Sequence, residues 1–315
     1  MLPAIYAGLC TLFSTLVMPN KADACACGCG IFEVGDFEMF PHGDAGHGFA
    51  YFDWDYQNQD HNWSGSSRAP AEDNSDKALK TRFYTAGIQY NFDRRFSMQV
   101  EVPYVDRTFS SLGGATGDQR ITHRWSQLGD VRVTGIYTGL LRDQPLGLIL
   151  GLKLPTGDFK HTEPGIDVDR DTQVGTGSTD LLLGAFYQHQ LKKGGSWWVF
   201  AQVNLDIPMF SQDGYAPGVE ADESLGFYYD GWSIGKAKIR PIGQILASER
   251  SKDSGPNSAN PVASGYERIL LSPGIEVDLH PVMIDANVEF PVYQYVTGNQ
   301  LTSQLLIKVS LSFRF

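Results

Sequence analysis

The last twelve residues, QLLIKVSLSFRF, constrain the fold more than any other stretch, because apolar and polar side chains alternate almost without interruption. A period of two is typical of a β-strand, in which successive side chains point to opposite faces. The apolar face consists of Leu305, Ile307, Val309, Leu311, Phe313 and Phe315. The other face consists of Gln304, Lys308, Ser310, Ser312 and Arg314, together with Leu306. The segment is therefore predicted to be a strand with one apolar and one polar face.

The same alternation recurs along the chain, so it describes a whole sheet. It is clearest in residues 96–104, 146–154, 197–207 and 284–292. Two architectures satisfy the pattern. In a soluble sandwich the apolar face would form the core, whereas in a membrane barrel it would face lipid and the polar face would line the lumen.

Connection lengths favour the barrel. The long polar connections lie near 60–80, 107–127, 156–177, 209–220 and 248–265. The tight turns between them lie near 93–95, 141–145, 191–195, 231 and 280–282. Outer-membrane barrels have this alternation, with short periplasmic turns and long outer loops. The predicted fold is therefore all-β, a closed antiparallel transmembrane β-barrel, because lipid tolerates no open sheet edge.

We predict about 12 strands, an even number as in most such barrels. Their predicted bounds are 48–59, 81–92, 96–106, 128–140, 146–155, 178–190, 196–208, 221–230, 232–247, 266–279, 283–295 and 301–315. An even number places both termini on the periplasmic side of the outer membrane of a Gram-negative bacterium. Aromatic residues near strand ends fit the girdles that such barrels place at both membrane interfaces.

The N-terminus has the features of a secretory signal peptide. An apolar run over residues 2–18 is followed by Ala22-Asp23-Ala24, an A-x-A cleavage signal directly before Cys25. No Lys or Arg precedes the run, and a membrane-spanning anchor or a lipidated Cys25 are the alternatives. The predicted organisation is a signal peptide (1–24), a periplasmic Cys-rich segment (25–47) and the barrel (48–315).

Composition excludes one class of partner. The chain has 36 Asp and Glu against 25 Lys and Arg, a net charge of −11. Nucleic-acid binding needs a basic face that neutralises phosphates, so no nucleic-acid partner is expected.

The stretch CACGCG holds Cys25, Cys27 and Cys29, the three cysteines left after cleavage. Thiolates at this spacing can converge on a soft ion such as Cu or Zn, and the intervening glycines let the backbone wrap around it. The spacing differs from the C-x-x-C of structural zinc sites. A strained local disulfide, a mixed disulfide and lipidation remain alternatives, and no other cofactor is expected.

Several segments resemble a family of outer-membrane proteins labelled "MetA-pathway of phenol degradation". The matching segments are LGDVRVTGIYTGL (128–140), LGLKLPTGDF (150–159), VGTGSTDLLLG (174–184), SGYERILLSPGIE (264–276) and FPVYQYVTGNQL (290–301). The terminal phenylalanine resembles the signal that barrel assembly machinery reads. The resemblance implies a transporter-like barrel with hydrophobic or aromatic compounds as cargo.

Charged residues on the polar faces are the candidate site. The predicted lumen-lining residues are Asp53, Asp55, Glu101, Asp130, Arg132, Lys153, Asp180, Asp206, Lys238, Arg240, Glu276, Asp285, Glu289, Lys308 and Arg314. Opposed charges in a narrow lumen either pair and plug it or set a transverse field that orients a solute. Phe200, Tyr228 and Tyr293 are predicted to face inward as apolar contacts.

The sequence therefore predicts a channel or transporter for small solutes. A non-conducting barrel with a metal-binding or docking CACGCG segment is the alternative. An enzyme is not expected, because His123, His161 and His189 have no Ser and acidic partner in a pattern typical of a triad. The expected partners are outer-membrane lipid and lipopolysaccharide, the assembly machinery and a small-molecule solute.

The metal hypothesis makes a direct prediction. Purified protein should carry Cu or Zn, and a Cys27→Ser variant should lose it because the middle thiolate of the three is removed. Metal analysis of both proteins after dialysis is the measurement. An intact protein without bound metal would end the hypothesis.

Overall fold

A computed structural model describes residues 46–258 and 263–315. The signal peptide and Cys25, Cys27 and Cys29 lie outside these residues. The strands are β1 (Gly48–Gly65), β2 (Ser67–Arg68), β3 (Asp76–Asn91), β4 (Phe96–Gly113), β5 (Gln119–Leu128), β6 (Val131–Tyr137), β7 (Leu146–Leu154), β8 (Ser178–Gln190), β9 (Trp197–Ser211), β10 (Glu220–Tyr229), β11 (Trp232–Ile234), β12 (Ala237–Arg250), β13 (Tyr266–Asp278) and β14 (Val282–Arg314). Single 3₁₀ turns occupy Ala71–Asp73 and Arg170–Thr172. Across the described ranges, no helix has the length and apolar character needed to cross a membrane.

The sheet closes into a ring, as the sequence predicts. The order β10-β9-β8-β7-β6-β4-β3-β1-β14-β13-β12 returns to β10 through a β10–β12 pairing. The ring therefore has eleven strands, and β2, β5 and β11 lie outside it. Every pairing is antiparallel, from β1–β14 at the seam to β10–β12. No strand edge within the ring is left unpaired, which is the condition that lipid imposes.

The double-length strand β14 explains how eleven strands correspond to twelve passes. Met283 lies opposite Asp278, and the amide of Arg314 donates to the carbonyl of Pro281 at 2.8 Å, so both ends of β14 meet at one end of the barrel. Gly298, with φ of +72°, lies between the two halves. A ring with an odd number of straight strands cannot be antiparallel throughout, so the reversal within β14 restores the even number.

Several strand bounds differ from prediction. β3 and β4 reach the long connections expected at 60–80 and 107–127, and β5 forms an additional hairpin with β4. These extensions carry polar side chains on both faces, so the apolar alternation used to find strands is missing there. The strand expected at 232–247 is two strands, because β11 folds back on the start of β12.

The barrel is inside-out relative to a soluble protein. Among the described residues, 45 buried side chains are polar or charged and 21 are apolar. Leu150, Leu225 and Leu271 are 50–63% exposed on the outer face. A soluble sandwich buries its apolar face, so this burial pattern selects the membrane barrel of the two predicted architectures.

Outward aromatic residues gather at the barrel end that holds Gly48 and Phe315, called the terminal end below; the opposite end is the loop end. Trp197 and Tyr229 have ring centroids 5.0 Å apart, and Tyr229 and Trp232 lie 5.7 Å apart. Phe96 and Tyr137 lie 5.3 Å apart further around the rim. These contacts form one of the two predicted girdles.

Because the outer face contacts lipid, the loss of stability caused by an added charge should depend on its depth in the bilayer. A Leu150→Arg variant, at the middle of β7, should lose about 2–4 kcal/mol of unfolding free energy, because the guanidinium would face the bilayer centre. Leu279→Arg, beside the terminal-end turn, is the matched control and should lose about 0–1 kcal/mol. Urea unfolding in phospholipid vesicles measures both, and equal losses would contradict a lipid-facing β7.

Candidate functional site

The barrel lumen holds a cavity of about 290 Å³. Its wall comes mainly from β1, β3, β4 and β6–β9. The lumen beside β12, β13 and β14 is filled, with Leu246, Leu270 and Leu306 packed together at 0–1% exposure. The space available to a solute is therefore on one side of the lumen.

Charged side chains form a belt around the cavity because neighbouring strands bring them into register. Glu101 lies opposite Arg132, Arg132 opposite Lys153, and Lys153 opposite Asp180. The belt continues from Asp206 through Glu220 to Arg250, each opposite the next. Such residues, directly opposite on one face of a sheet, have Cβ atoms about 4.5–5.5 Å apart. The belt thus consists of two runs of opposed charges, one on β4, β6, β7 and β8 and the other on β9, β10 and β12, because Asp180 itself lies opposite Pro208.

The centre of the belt is an ion-paired trio. The Lys153 ammonium donates to Asp206 Oδ2 at 2.5 Å and also contacts Asp180 Oδ2. Asp180 is fully buried, and the side chain of Asp206 is 13% exposed. Asp206 Oδ1 is buried against the cavity without a hydrogen-bond partner. One carboxylate oxygen thus retains its acceptor capacity.

A second polar group lies on the wall formed by β1 and β4. The Tyr51 hydroxyl donates to Glu101 Oε1 at 2.9 Å, and the Gln99 side-chain amide donates to the Tyr51 oxygen. Asp53 and Asp55 line the cavity on the same side. The wall is therefore acidic and rich in hydrogen-bonding groups.

The terminal end of the cavity is apolar. Its floor consists of Ile136, Ile149 and Phe186, which pack in one cluster with Phe200, Tyr228 and Ile242. Phe200 and Tyr228 are 1% and 5% exposed, in agreement with their predicted inward orientation. A solute in the cavity thus meets an acidic wall, a charged belt and an apolar floor.

The loop of residues 155–177, here called the mouth loop, folds into the loop end of the lumen. Asp130 holds both of its ends, since Asp130 Oδ1 accepts from the Gly157 amide at 2.9 Å and Oδ2 accepts from the Thr176 amide and hydroxyl at 2.8 and 2.7 Å. A Cβ on Gly175 would lie 2.4 Å from the Gly157 backbone. The LPTGD and GTGSTD segments are therefore the two halves of a backbone clasp that requires glycine.

Two arginines fix the middle of the mouth loop. The Arg107 guanidinium, on β4, donates to the carbonyl oxygens of Thr172 and Gln173, the latter at 2.9 Å. The Arg170 guanidinium carbon lies 4.8 Å from the Phe159 ring centre and 4.5 Å from that of Tyr215. Thr172 is fully buried as a result. Charge-assisted hydrogen bonds and cation–π contacts thus hold the loop across the lumen.

Asp171 is the titratable group of the mouth loop. It lines the cavity, and desolvation, followed by repulsion from Asp253, raises its pKa to about 7. Attraction to Arg250 acts in the opposite direction. The closed loop therefore favours the protonated carboxyl.

The outer side of the mouth loop is tied to β5 by histidines. Glu163 contacts His123 Nδ1 at 2.9 Å and His161 Nε2 at 2.8 Å, and the His161 ring stacks on Trp125 at 4.8 Å. Residues 46–258 and 263–315 contain no group of three or more His, Cys, Asp or Glu side chains arranged to hold a metal ion. This group therefore serves as a tie between β5 and the loop.

The structure divides the fifteen predicted lumen residues into two groups. Those that line the cavity are Asp53, Asp55, Glu101, Asp130, Arg132, Lys153, Asp180 and Asp206. Asp130 differs from its prediction in that it precedes β6 and holds the mouth loop.

The other seven lie away from the cavity. Arg240 pairs with Glu276 and, at 2.8 Å, with Asp230, while Arg314 contacts Asp278 at 3.2 Å near the terminal end. Lys238 is exposed 3.5 Å from Asp230. Buried positions on β14 are Asp285, Glu289 and Lys308.

One predicted inward contact is wrong. Tyr293 is 42% exposed on the outer face, because β14 has an irregularity where Ile269 and Leu270 pair with Tyr293 and Pro291. The extra residue reverses the inward parity for the rest of that half-strand.

Sequence reasoning missed Arg107, Asp171 and Phe186 as cavity residues. Arg107 and Asp171 fall in segments expected to be polar outer loops. The alternation of Val105, Arg107 and Phe109 was the available signal, since all three are buried along β4.

The closed ring and the inverted burial define a β-barrel of the outer-membrane type. No protein-family model matches the chain, and no curated protein matches it either. The specific family label suggested by the sequence segments thus stays a prediction.

Solved structures show the fold. The chain is similar to the COG4313 outer membrane channel from Pseudomonas putida F1, with a TM-score of 0.64 and 13% identity over 90% of this chain and 100% of that chain. The β domain of the Bordetella autotransporter BrkA matches at 0.50 with 10% identity, over 86% of this chain and 100% of that chain. At 13% and 10% identity, both matches show the fold alone.

The raised pKa of Asp171 predicts that the stability of the closed mouth loop depends on pH. The pKa of this carboxyl is near 3.9 in an unfolded chain and about 7 in the closed loop. A raised pKa means that the closed loop is fully stabilised below pH 4 and loses that stability as pH rises to about 7. Hydrogen exchange in residues 156–177, corrected for intrinsic rates, should therefore be faster at pH 8 than at pH 5.

Asp171→Asn should remove this difference because the side chain no longer titrates. Asp167→Asn, an exposed carboxyl on the same loop, is the matched control and should keep it. Equal protection of the unmodified loop at both pH values would contradict the assignment. The charged groups facing Asp171 are Asp253 and Arg250, and the Tyr215 hydroxyl donates to Asp253.

Proposed function

We propose that this chain is an outer-membrane channel or transporter for small solutes, with hydrophobic and aromatic compounds among them. The observation that carries the proposal is the cavity inside a closed barrel, covered by the mouth loop at one end and floored by apolar side chains at the other. A barrel that served only as an anchor would have no need of a cavity, and side chains can fill a lumen of this width.

The resemblance to a solved outer-membrane channel adds support at the level of fold. The P. putida toluene transporter TodX also matches, but at a TM-score of 0.42 and 11% identity, which is too distant to carry an argument. Apolar cargo is supported here by the floor residues Ile136, Ile149 and Phe186.

Orientation and partners follow from the same proposal. The terminal end has the tight turns, so it would face the periplasm, and both termini with it. The extended β3–β5 region and the mouth loop would then lie among lipopolysaccharide headgroups. Phe315, at the seam beside Gly48, would be the residue that barrel assembly machinery reads.

The cysteine segment keeps a separate proposed role. Cys25, Cys27 and Cys29 precede β1, whose first residue is at the terminal end. A Cu or Zn ion bound by these thiolates would therefore be on the periplasmic side, as an accessory to the barrel.

Conductance in planar bilayers tests the channel, with the Arg107→Met variant as the main comparison. Loss of the guanidinium removes the hydrogen bonds to Thr172 and Gln173, so the mouth loop should release and the single-channel conductance should rise several-fold. Arg124→Met is the matched control, because that exposed guanidinium pairs with Asp106 within the β4–β5 hairpin. Silence of all three proteins, each verified as folded, would refute the channel.

A further inference from the structure

The cavity wall has an excess of negative charge. Eight carboxylates line it, namely Asp53, Asp55, Glu101, Asp130, Asp171, Asp180, Asp206 and Glu220. Five cationic side chains line it, namely Arg107, Arg132, Lys153, Arg170 and Arg250. Lys308, opposite Asp55, and Asp253, beside Arg250, add one charge of each sign. Because the closed mouth loop favours a protonated Asp171, the excess of negative charge is two.

Most of the cationic groups are already committed to the protein. Arg107 binds backbone carbonyls of the mouth loop, and Arg170 lies between two aromatic rings. Arg250 donates to Asp253 at 2.7 Å, and Lys153 is held between two carboxylates. An anionic solute would therefore meet few available donors, while a cationic solute would meet a negative potential that the low-dielectric wall focuses.

Asp206 supplies a specific point of contact. Its Oδ2 accepts from Lys153, and its buried Oδ1 has no hydrogen-bond partner. The Asp206 side chain is 13% exposed on the cavity wall, so a ligand N–H group can reach the carboxylate and supply a donor that the protein does not. Leu182, directly opposite Asp206 and 8% exposed, provides apolar surface on the same face of the sheet.

Aromatic surface lies in the same cavity. Phe83 and Phe186 line it, and Phe186 belongs to the apolar floor. Aromatic faces attract cations and also pack against apolar groups. The wall is therefore suited to a molecule with an apolar body and a positively charged head.

We propose that the cavity binds small organic cations, with an alkyl- or arylammonium group donating to the Asp206 carboxylate and the apolar body against Leu182 and the floor. The inference rests on the proposed function only in taking this cavity as the solute's route. It narrows the proposed hydrophobic or aromatic cargo to molecules that also carry a positive charge.

Calorimetry with three molecules of similar shape tests the proposal. Benzylammonium should bind the detergent-solubilised protein at least about tenfold more tightly than benzyl alcohol, a difference of about 1.4 kcal/mol, and benzoate should bind most weakly. Asp206→Asn should reduce benzylammonium binding to the level of benzyl alcohol. Glu223→Gln, an exposed carboxyl on the outer face of β10, is the matched control and should bind like the unmodified protein.

Two outcomes would overturn the proposal. One is equal or tighter binding of benzyl alcohol or benzoate by the unmodified protein, which needs no variant. The other is unchanged benzylammonium binding in a folded Asp206→Asn protein. If that variant fails to fold, the zero-current potential of the unmodified protein in a KCl gradient replaces it, and a potential of zero or of anion-selective sign overturns the proposal.

Failure of this inference is distinguishable from failure of the channel. A barrel that conducts without preferring cations keeps the proposed function and loses the substrate class. A silent barrel that still binds benzylammonium through Asp206 loses the channel and keeps the site.

Discussion

Closure of the backbone hydrogen-bond ring is the constraint on which the rest of this structure depends. A strand edge facing hydrocarbon would leave a row of amide and carbonyl groups without partners, each at a cost of several kcal/mol. The seam between β1 and β14 meets this demand down to its last residue, where Phe315 and Gly48 exchange both backbone hydrogen bonds at 3.0 Å. The reversal within β14 has the same origin, because only an even number of passes can close an antiparallel ring.

Closure also decides where the charges go. The pleat directs every second side chain inward. The polar residues that are excluded from the lipid-facing side therefore all point into the narrow lumen. There they must pair, as Lys153 does with Asp180 and Asp206, or bind backbone, as Arg107 does. The cavity remains where such pairing stops short of filling the lumen, beside β1, β3, β4 and β6–β9, while the leucines of β12–β14 fill the other side.

The architecture was predictable because apolar and polar residues alternate with a period of two, and each lipid-facing strand repeats this pattern. The mouth loop was not, since its path depends on single contacts between distant residues. Asp130 was recognised as an inward charge, but its bonds to Gly157 and Thr176 require knowledge of where the loop returns. Tyr293 shows the limit of the alternation itself, because one extra residue in β14 reverses which face is inward. Of the candidate residues within strands, those on β1, β4 and β6–β9 line the cavity, and those on β12–β14 lie on the filled side of the lumen, where Arg240 pairs with Glu276.

The clasp at Gly157 and Gly175 separates the attachment of the loop to the barrel wall from the residues that form its middle. The backbone approach fixes where the loop leaves the wall and where it rejoins it, and neither position tolerates a Cβ. The residues between them span a fixed distance, so a change in their number leaves both ends of the loop in place. Paralogues that share the two glycines can thus differ in the solutes they admit while keeping one scaffold. The entrance is then a unit that recombination can exchange.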